Sequence, residues 1–189
     1  ANDGSITYES FVTRYNTDLA NNLGNLVSRT VAMTKKYFDG VIPQPNGDEG
    51  TDAELKETVA KTIESFKANM DTYHVADALD DVFSMLRRVN KYIDETTPWT
   101  LAKDEANKPR LATVIYNLLE SIRVAAVLLF PIIPGTCESI FAQLGTNLVS
   151  YDTIESFGAI KSGTSVGEST VLFSRIDEKK LLEEIEVER

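Results

Sequence analysis

The sequence predicts an all-α fold: one helical-bundle domain over residues 1–189, with shorter helices towards its C-terminal end. Three observations lead there. Four segments carry apolar residues at alternating spacings of three and four, the period of one face of an α-helix. Proline and glycine are sparse, and no repeat or low-complexity tract interrupts the pattern. With 189 residues and 42% hydrophobic side chains, the chain is able to bury a core without disulfide or metal staples.

The first helix is predicted over residues 7–38, with Tyr8, Val12, Tyr15, Leu19, Leu23, Leu26, Thr30, Met33 and Tyr37 as its seam. Gly24 within it costs about 1 kcal/mol against alanine, which points to a bend or a close packing contact there. Asp39-Gly40 closes it. A loop over residues 41–50 with two prolines leads to a second helix, whose seam is Val59, Ile63, Phe66 and Met70. The third carries Val75, Leu79, Val82, Leu86, Val89 and Ile93, and Thr96-Thr97-Pro98 signals its end. A fourth follows the polar stretch 103–109, carries Leu111, Ile115, Leu118, Ile122, Ala125 and Leu129, and stops at Pro131. Beyond it, Thr136 is the expected N-cap of a helix ending at Gly145, and Ser150 that of a short turn through Phe157. Residues 161–170 read as a surface loop, and residues 178–189 as a charged helix whose apolar contacts are Leu181, Leu182 and Ile185.

Composition narrows the function classes. A single cysteine, Cys137, rules out an intramolecular disulfide and suggests a reducing compartment, expected to be the cytoplasm. With His74 as the only histidine, an N/S-rich zinc site is implausible. The longest apolar stretch, residues 124–133, is broken by Pro131 and is far short of the roughly 20 residues of a membrane span, so no membrane partner is expected. No charged leader with an apolar stretch opens the sequence. No nucleophile, base and orienting residue assemble as a hydrolytic set, and no glycine-rich phosphate loop occurs. The net charge of −10 argues against promiscuous coating of nucleic acid. It is neutral towards a small base-reading contact, because the acids crowd residues 48–57 and 177–188 while Arg14, Arg29, Lys35, Lys36, Arg87, Arg88, Lys91 and Lys103 lie elsewhere.

Two blocks are more specific than this. DLANNLGNLVSR at residues 18–29 and KYIDETTPWTLAK at residues 91–103 resemble signature blocks of the methionyl-tRNA synthetase anticodon-binding domain; LLFPIIPGT at 128–136 and LFSRID at 172–177 fit in order and distance. The resemblance covers essentially the whole chain. It implies a domain that follows a class I catalytic domain, reads the CAU anticodon of tRNA(Met), and works within an ATP-dependent methionine–tRNA ligase. That family's HIGH and KMSKS motifs and zinc-knuckle cysteines have no match in the sequence. The resemblance therefore implies recognition without catalytic residues, cofactor or metal in this chain, with ATP, magnesium and, in some members, zinc belonging to the rest of the parent. It also implies that residues 1–5 correspond to a stretch soon after the catalytic half and that the parent continues beyond Arg189. The implied partners are the tRNA anticodon loop and that catalytic domain, with the chain itself a monomer.

The candidate site residues follow from both readings. Anticodon bases are unstacked, and aromatic faces and polar side chains read them. The resemblance assigns Pro98 and Trp99 to the first anticodon base, a cytosine; without the resemblance, a plug at the end of the bundle is the favoured reading of Trp99. Asn25 and Arg29 lie four residues apart, about 40° around a helix that turns about 100° per residue, and share a face beside the apolar seam. The resemblance makes them the base-reading pair, whereas spacing alone favours an interhelical hydrogen bond from Asn25 and a solvated Arg29. Arg14, Lys91 and Lys103 are secondary candidates for phosphates, and Asp94 for a base amino group, with plain solvation the alternative for each. Asp18, Asn21 and Asn22 are expected to satisfy helix contacts, His74 to cap a helix, and Cys137 to fill the core. A helical protein-interaction bundle is the competing function, and the exposure of Trp99 decides between them.

Overall fold

The computed structural model describes residues 7–181. Within them, helices account for nearly all the regular structure: α1 (Tyr8–Arg14) runs into a π-helical segment (Tyr15–Asn25) and on into α2 (Leu26–Phe38), followed by α3 (Gly50–Asp71), α4 (Val75–Thr96), α5 (Pro98–Leu101), α6 (Lys108–Leu129) and α7 (Pro134–Leu144). Short 3₁₀ turns stand at Glu105–Asn107 and Tyr151–Ile154. The expected four-helix architecture is present, with α6 at its centre and α2, α3, α4, α5 and α7 all packed on it.

The first helix is not one straight α-helix. Gly24 sits in the π segment, where an added Cβ would lie 3.2 Å from the Leu19 carbonyl oxygen and 3.6 Å from the Phe173 ring. The close packing contact anticipated at this glycine is present, within a π-helical stretch. A π turn holds more residues than an α turn, so a seam extrapolated across it drifts. Leu23, Leu26 and Thr30 are buried as the seam requires, but Tyr8 is half exposed, and the buried face broadens to Val27, Val31 and Thr34, leaving Met33 and Tyr37 at its margin.

α6 departs further from its expected single apolar face: every residue from Leu111 to Leu129 is buried. Each fully buried aliphatic chain contributes about 1.5–3 kcal/mol, and α6 supplies them on all sides. By length and a mean hydropathy of 1.5, the stretch 105–129 is long and apolar enough to cross a membrane, contrary to the sequence reading, and its apolar window lies wholly inside the bundle. The charges it carries are satisfied there. Glu120 and Arg123 form a fully buried ion pair at 2.8 Å. Glu120 also accepts the N–H groups of Gly158 and Ala159 at 2.9 Å and Ile160 at 3.1 Å, while Arg123 donates to Thr153 Oγ1 at 2.9 Å and to the Leu148 carbonyl at 3.2 Å. The pair thus clamps the post-α7 chain to the central helix.

Several local expectations are corrected. α7 opens at Pro134 without a side-chain cap, not at Thr136, because proline at the first helical position has its φ preset and no N–H to satisfy. His74 stands at the N-cap of α4, where its carbonyl accepts from the Ala78 N–H at 3.0 Å, but its side chain makes no capping bond; its Nδ1 lies 2.8 Å from Thr72 Oγ1 instead. Ser150 makes no side-chain cap either. Residues 161–170 are the irregular, mostly exposed segment expected, and it is tied down at two points: Ile42 donates to the Thr164 carbonyl and Val166 to that of Gly40, both at 2.8 Å, and Val166 is buried. The backbone after α2 supplies partners that sequence periodicity does not reveal. Asp52, one of the acids crowded into residues 48–57, is fully buried in the first turn of α3. The C-terminal helix begins at Glu178, with Asp177 Oδ1 accepting from the N–H groups of Lys179 and Lys180 at 3.1 and 3.2 Å. Its continuation to Arg189, with Leu182 and Ile185, and residues 1–5 at the other terminus lie outside the described residues.

Candidate nucleic-acid interface

Helix one and α4 run side by side in the same direction. Arg14 Nη2 donates to Asp80 at 2.8 Å, and one face further along Asn90 Nδ2 donates to the Asn22 carbonyl at 3.1 Å. The sequence separations of the two pairs, 66 and 68 residues, show the helices advancing in step. Asn25 and Arg29 follow Asn22 by about one and two turns, as Asp94 and Thr97 follow Asn90 to the end of α4.

That end is a rigid corner. Thr97 occupies the left-handed region at φ 42° and ψ 61°, uncommon for any residue but glycine and a marked outlier for a β-branched one. It is held there by its N–H on the Ile93 carbonyl at 2.9 Å and by its own carbonyl, which accepts from Thr100 at 2.7 Å and Leu101 at 3.2 Å. Thr96 Oγ1 donates to the Tyr92 carbonyl at 2.6 Å. Pro98 then opens α5, where its missing donor costs nothing. Pro98 is the residue that plugs the bundle; Trp99 is 42% exposed.

Asn25 is exposed at the junction of the π segment and α2, and Arg29 is half-buried one α turn on. Among the described residues, neither side chain has a hydrogen bond or ion pair, so the interhelical bond that spacing alone favoured for Asn25 is not made. The secondary candidates divide. Lys103 is exposed and has no ion pair among the described residues, and Asp94 is exposed, both close to the corner in sequence. Lys91 is paired with Glu95 at 3.4 Å. Arg14 is far along the helix and committed to Asp18 and Asp80, at 3.3 and 2.8 Å. Asp18 and Asn22 do satisfy helix contacts, with Asn22 Nδ2 on Asp18 at 3.3 Å, whereas Asn21 is exposed.

Beneath the corner lies a buried polar cluster that sequence reasoning missed. Tyr92 donates its hydroxyl to Asp52, which also accepts from Arg110 Nη1 at 2.6 Å and from the Glu49 N–H at 2.7 Å; Asn117 Nδ2 donates to the Tyr92 oxygen at 3.3 Å. Burial pushes the Asp52 carboxyl up, but the bonds from Arg110, the Glu49 amide and Tyr92 together outweigh it and hold its pKa below the usual carboxylate range. Tyr92, chiefly through burial and then through Asp52, is pushed well above the ordinary phenol value. The available signal was Tyr92 itself, a polar-tipped aromatic at a core position of the KYIDETTPWTLAK block. Cys137 is buried as expected, its thiol pushed by burial up to about 12. Among the described residues no cluster of three His, Cys, Asp or Glu is placed to hold a metal.

At the opposite end, a groove of about 520 Å³ between α1 and α4 is lined by Phe11, Tyr15, Leu19, Leu79 and Phe83.

A family model described as the anticodon binding domain of methionyl tRNA ligase matches residues 42–186, a stretch that includes Pro98 and Trp99. A methionine–tRNA ligase of Clostridium tetani is 47% identical over 183 residues, which take in 97% of this chain and 28% of that protein. One from Thermotoga maritima is 39% identical over 191 residues, 99% of this chain and 30% of that protein. Among solved structures, the apo form of Mycobacterium tuberculosis methionyl-tRNA synthetase is similar with a TM-score of 0.87 at 35% identity, covering 93% of this chain and 36% of that one. The chain thus spans less than a third of the length of these two curated relatives. With two sequence blocks, a helical bundle and a matched family model in agreement, the chain belongs to the anticodon-binding domain family of methionyl-tRNA ligases.

Proposed function

We propose that this domain reads the CAU anticodon of tRNA(Met), with Trp99 stacking on the first base and Asn25 and Arg29 hydrogen-bonding its edge. The observation that carries this reading is a half-exposed indole on a corner fixed by Thr97 and Pro98, together with an Arg29 on α2 that has no acid partner among the described residues. Stacking of a base on an aromatic ring is worth about 1–3 kcal/mol and needs an accessible face. A guanidinium and an amide supply the donors and the acceptor that a pyrimidine edge requires. The domain contributes discrimination and positioning. Methionylation with ATP belongs to the catalytic portion of the parent chain, which docks the acceptor end once the anticodon is held. We take the parent to act in the cytoplasm and the isolated domain to be a monomer.

The apolar groove at the far end favours a second role, as a protein-docking face, and the two surfaces are far enough apart to coexist. Titrating the domain with a CAU anticodon stem-loop and with one altered at the first base tests the main reading. Tighter binding of CAU is expected, and equal affinity for both overturns it.

A further inference from the structure

The chain that presents Trp99, residues 97–107, holds one short stretch of α-helix and one 3₁₀ turn, and it opens on Thr97 in the left-handed region. A β-branched residue persists in that region only where its surroundings over-determine it. Part of the restraint has to come from the two flanks of the corner.

One carboxylate fixes both. On the entering side, Tyr92 of α4 donates its hydroxyl to Asp52 Oδ1, and the Tyr92 carbonyl accepts from Thr96 Oγ1 at 2.6 Å, directly before Thr97. On the leaving side, Arg110 in the first turn of α6 donates Nη1 to Asp52 Oδ2 at 2.6 Å. The same guanidinium is bound to the start of α3 through Glu49 at 3.2 Å and Thr51 Oγ1 at 3.4 Å. Asp52 is itself anchored, since it is fully buried and its Oδ2 accepts the Glu49 N–H at 2.7 Å in a capping box. Hydrogen bonds to an ionised carboxylate are about twice as strong as neutral ones. The other buried pair, Glu120–Arg123, lies within a single helix. Asp52 instead divides its two oxygens between the helix that enters the corner and the helix that leaves it.

We propose that Asp52, through Tyr92 and Arg110, is a positioning residue for base recognition: it clasps residues 93–109 at both ends and so holds the Trp99 indole where a base stacks. This rests on the reading of Trp99 given above. Asp52 is buried and touches no RNA. It acts by preorganisation, because a platform ordered before binding does not have to be ordered at the expense of affinity. Loosening the clasp weakens the cognate complex most, since stacking and edge hydrogen bonds are made together only in the fixed geometry.

Trp99 is the only tryptophan in the chain, so its fluorescence reports the corner without RNA. The test joins time-resolved fluorescence anisotropy of the free protein to titrations with CAU and first-base-altered stem-loops. The proteins are the wild type, Asp52→Asn, Tyr92→Phe and Ile140→Val. The last removes a buried methyl group from α7 and is a core lesion outside the clasp. Tyr92→Phe frees one flank and leaves Arg110 on Asp52, so it carries the test if Asp52→Asn does not fold. For both clasp variants we expect a larger amplitude of nanosecond Trp99 motion. The CAU-to-altered affinity ratio should fall at least about twofold, the lower end of coupling between residues that share a network. Ile140→Val should do neither, and in a Trp99→Ala background the clasp substitutions should lower the ratio no further.

If the wild type does not separate the stem-loops, the reading of the site fails and the recognition role of Asp52 with it, while the anisotropy still shows whether the clasp holds the indole. A wild type that separates them beside clasp variants that keep its ratio overturns the role of Asp52 alone. A lower ratio with unchanged Trp99 motion, or a further fall in the Trp99→Ala background, overturns the clasp as its route. A matching loss in Ile140→Val overturns it too, by reducing the effect to general stability.

Discussion

Tyr92 and Asp52 meet in the interior of the bundle, a fully buried phenol donating to a fully buried carboxylate 40 residues away in sequence. The bond ties α4, one turn before the corner that presents Trp99, to the first turn of α3, and Arg110 of α6 completes the junction at 2.6 Å. Removing the hydroxyl leaves the carboxylate one donor short and deprives Asn117 of its acceptor. We expect Tyr92→Phe to destabilise the domain by about 1–3 kcal/mol, seen as a lower urea midpoint with an unchanged m-value. A midpoint equal to that of the wild type would show the cluster to be energetically idle.

Trp99→Ala separates the stacking platform from the plug. Because the indole is 42% exposed and Pro98 is the buried member, the variant is expected to keep its thermal midpoint within about 2 °C, as surface changes of under about 0.5 kcal/mol do. Affinity for the CAU stem-loop should fall by about 1–3 kcal/mol. Fluorescence anisotropy and circular dichroism on the same sample measure both. A collapse in thermal midpoint would restore the plug.

Arg29→Gln is the matching test on α2. With no acid partner among the described residues, Arg29 stabilises no ion pair within them, and stability should change by less than about 0.5 kcal/mol. The ratio of affinities for CAU and first-base-altered stem-loops should shrink towards one. A preserved ratio would remove Arg29 from the reading of bases.

The buried Glu120–Arg123 pair gives the largest expected stability effect. Arg123→Ala leaves Glu120 charged and buried, and breaking such a pair from one side costs about 3–5 kcal/mol. Hydrogen exchange should report faster opening around Leu148, Thr153 and Gly158, which the pair holds. Uniform acceleration across all helices, with no excess there, would contradict the clamp.

Acid should weaken the fold in a defined direction. Burial raises the Asp52 and Glu120 carboxyls, but Arg110 on the first, Arg123 on the second and backbone amides on both outweigh it, so each folded pKa lies below the ordinary value. On lowering the pH the unfolded chain therefore takes up protons first. Their contribution is fully present above the unfolded values of about 4 and is lost as pH falls through the lower folded ones. Thermal midpoints measured between pH 7 and pH 2 should hold level and then fall, and Asp52→Asn should flatten part of the fall. A midpoint that rises on acidification would reverse the assignment.

Much of this was legible in the residue order. Helical periodicity located α3, α4 and α6, the Pro98 stop signal located the end of α4, and Gly24 marked the irregular stretch of helix one. The two sequence blocks carried the family and named Asn25, Arg29, Pro98 and Trp99. Spacing was informative here because an α-helix repeats locally, every three to four residues, whatever surrounds it.

Other features depended on partners distant in sequence. Asp52 was one acid in the acid-rich stretch 48–57 until α4 and α6 brought Tyr92 and Arg110 onto it. The ties of residues 161–170 to the backbone of Gly40 and Ile42 could not be read from that segment's composition, and the π turn displaced a seam drawn at a constant period. By itself the sequence determined an all-α bundle and its family, because both are written in short-range pattern and motif. Only the tertiary structure decided that Pro98 goes in and Trp99 stays out, and which cations keep an acid partner, because burial and pairing are properties of surfaces that meet only when the helices pack.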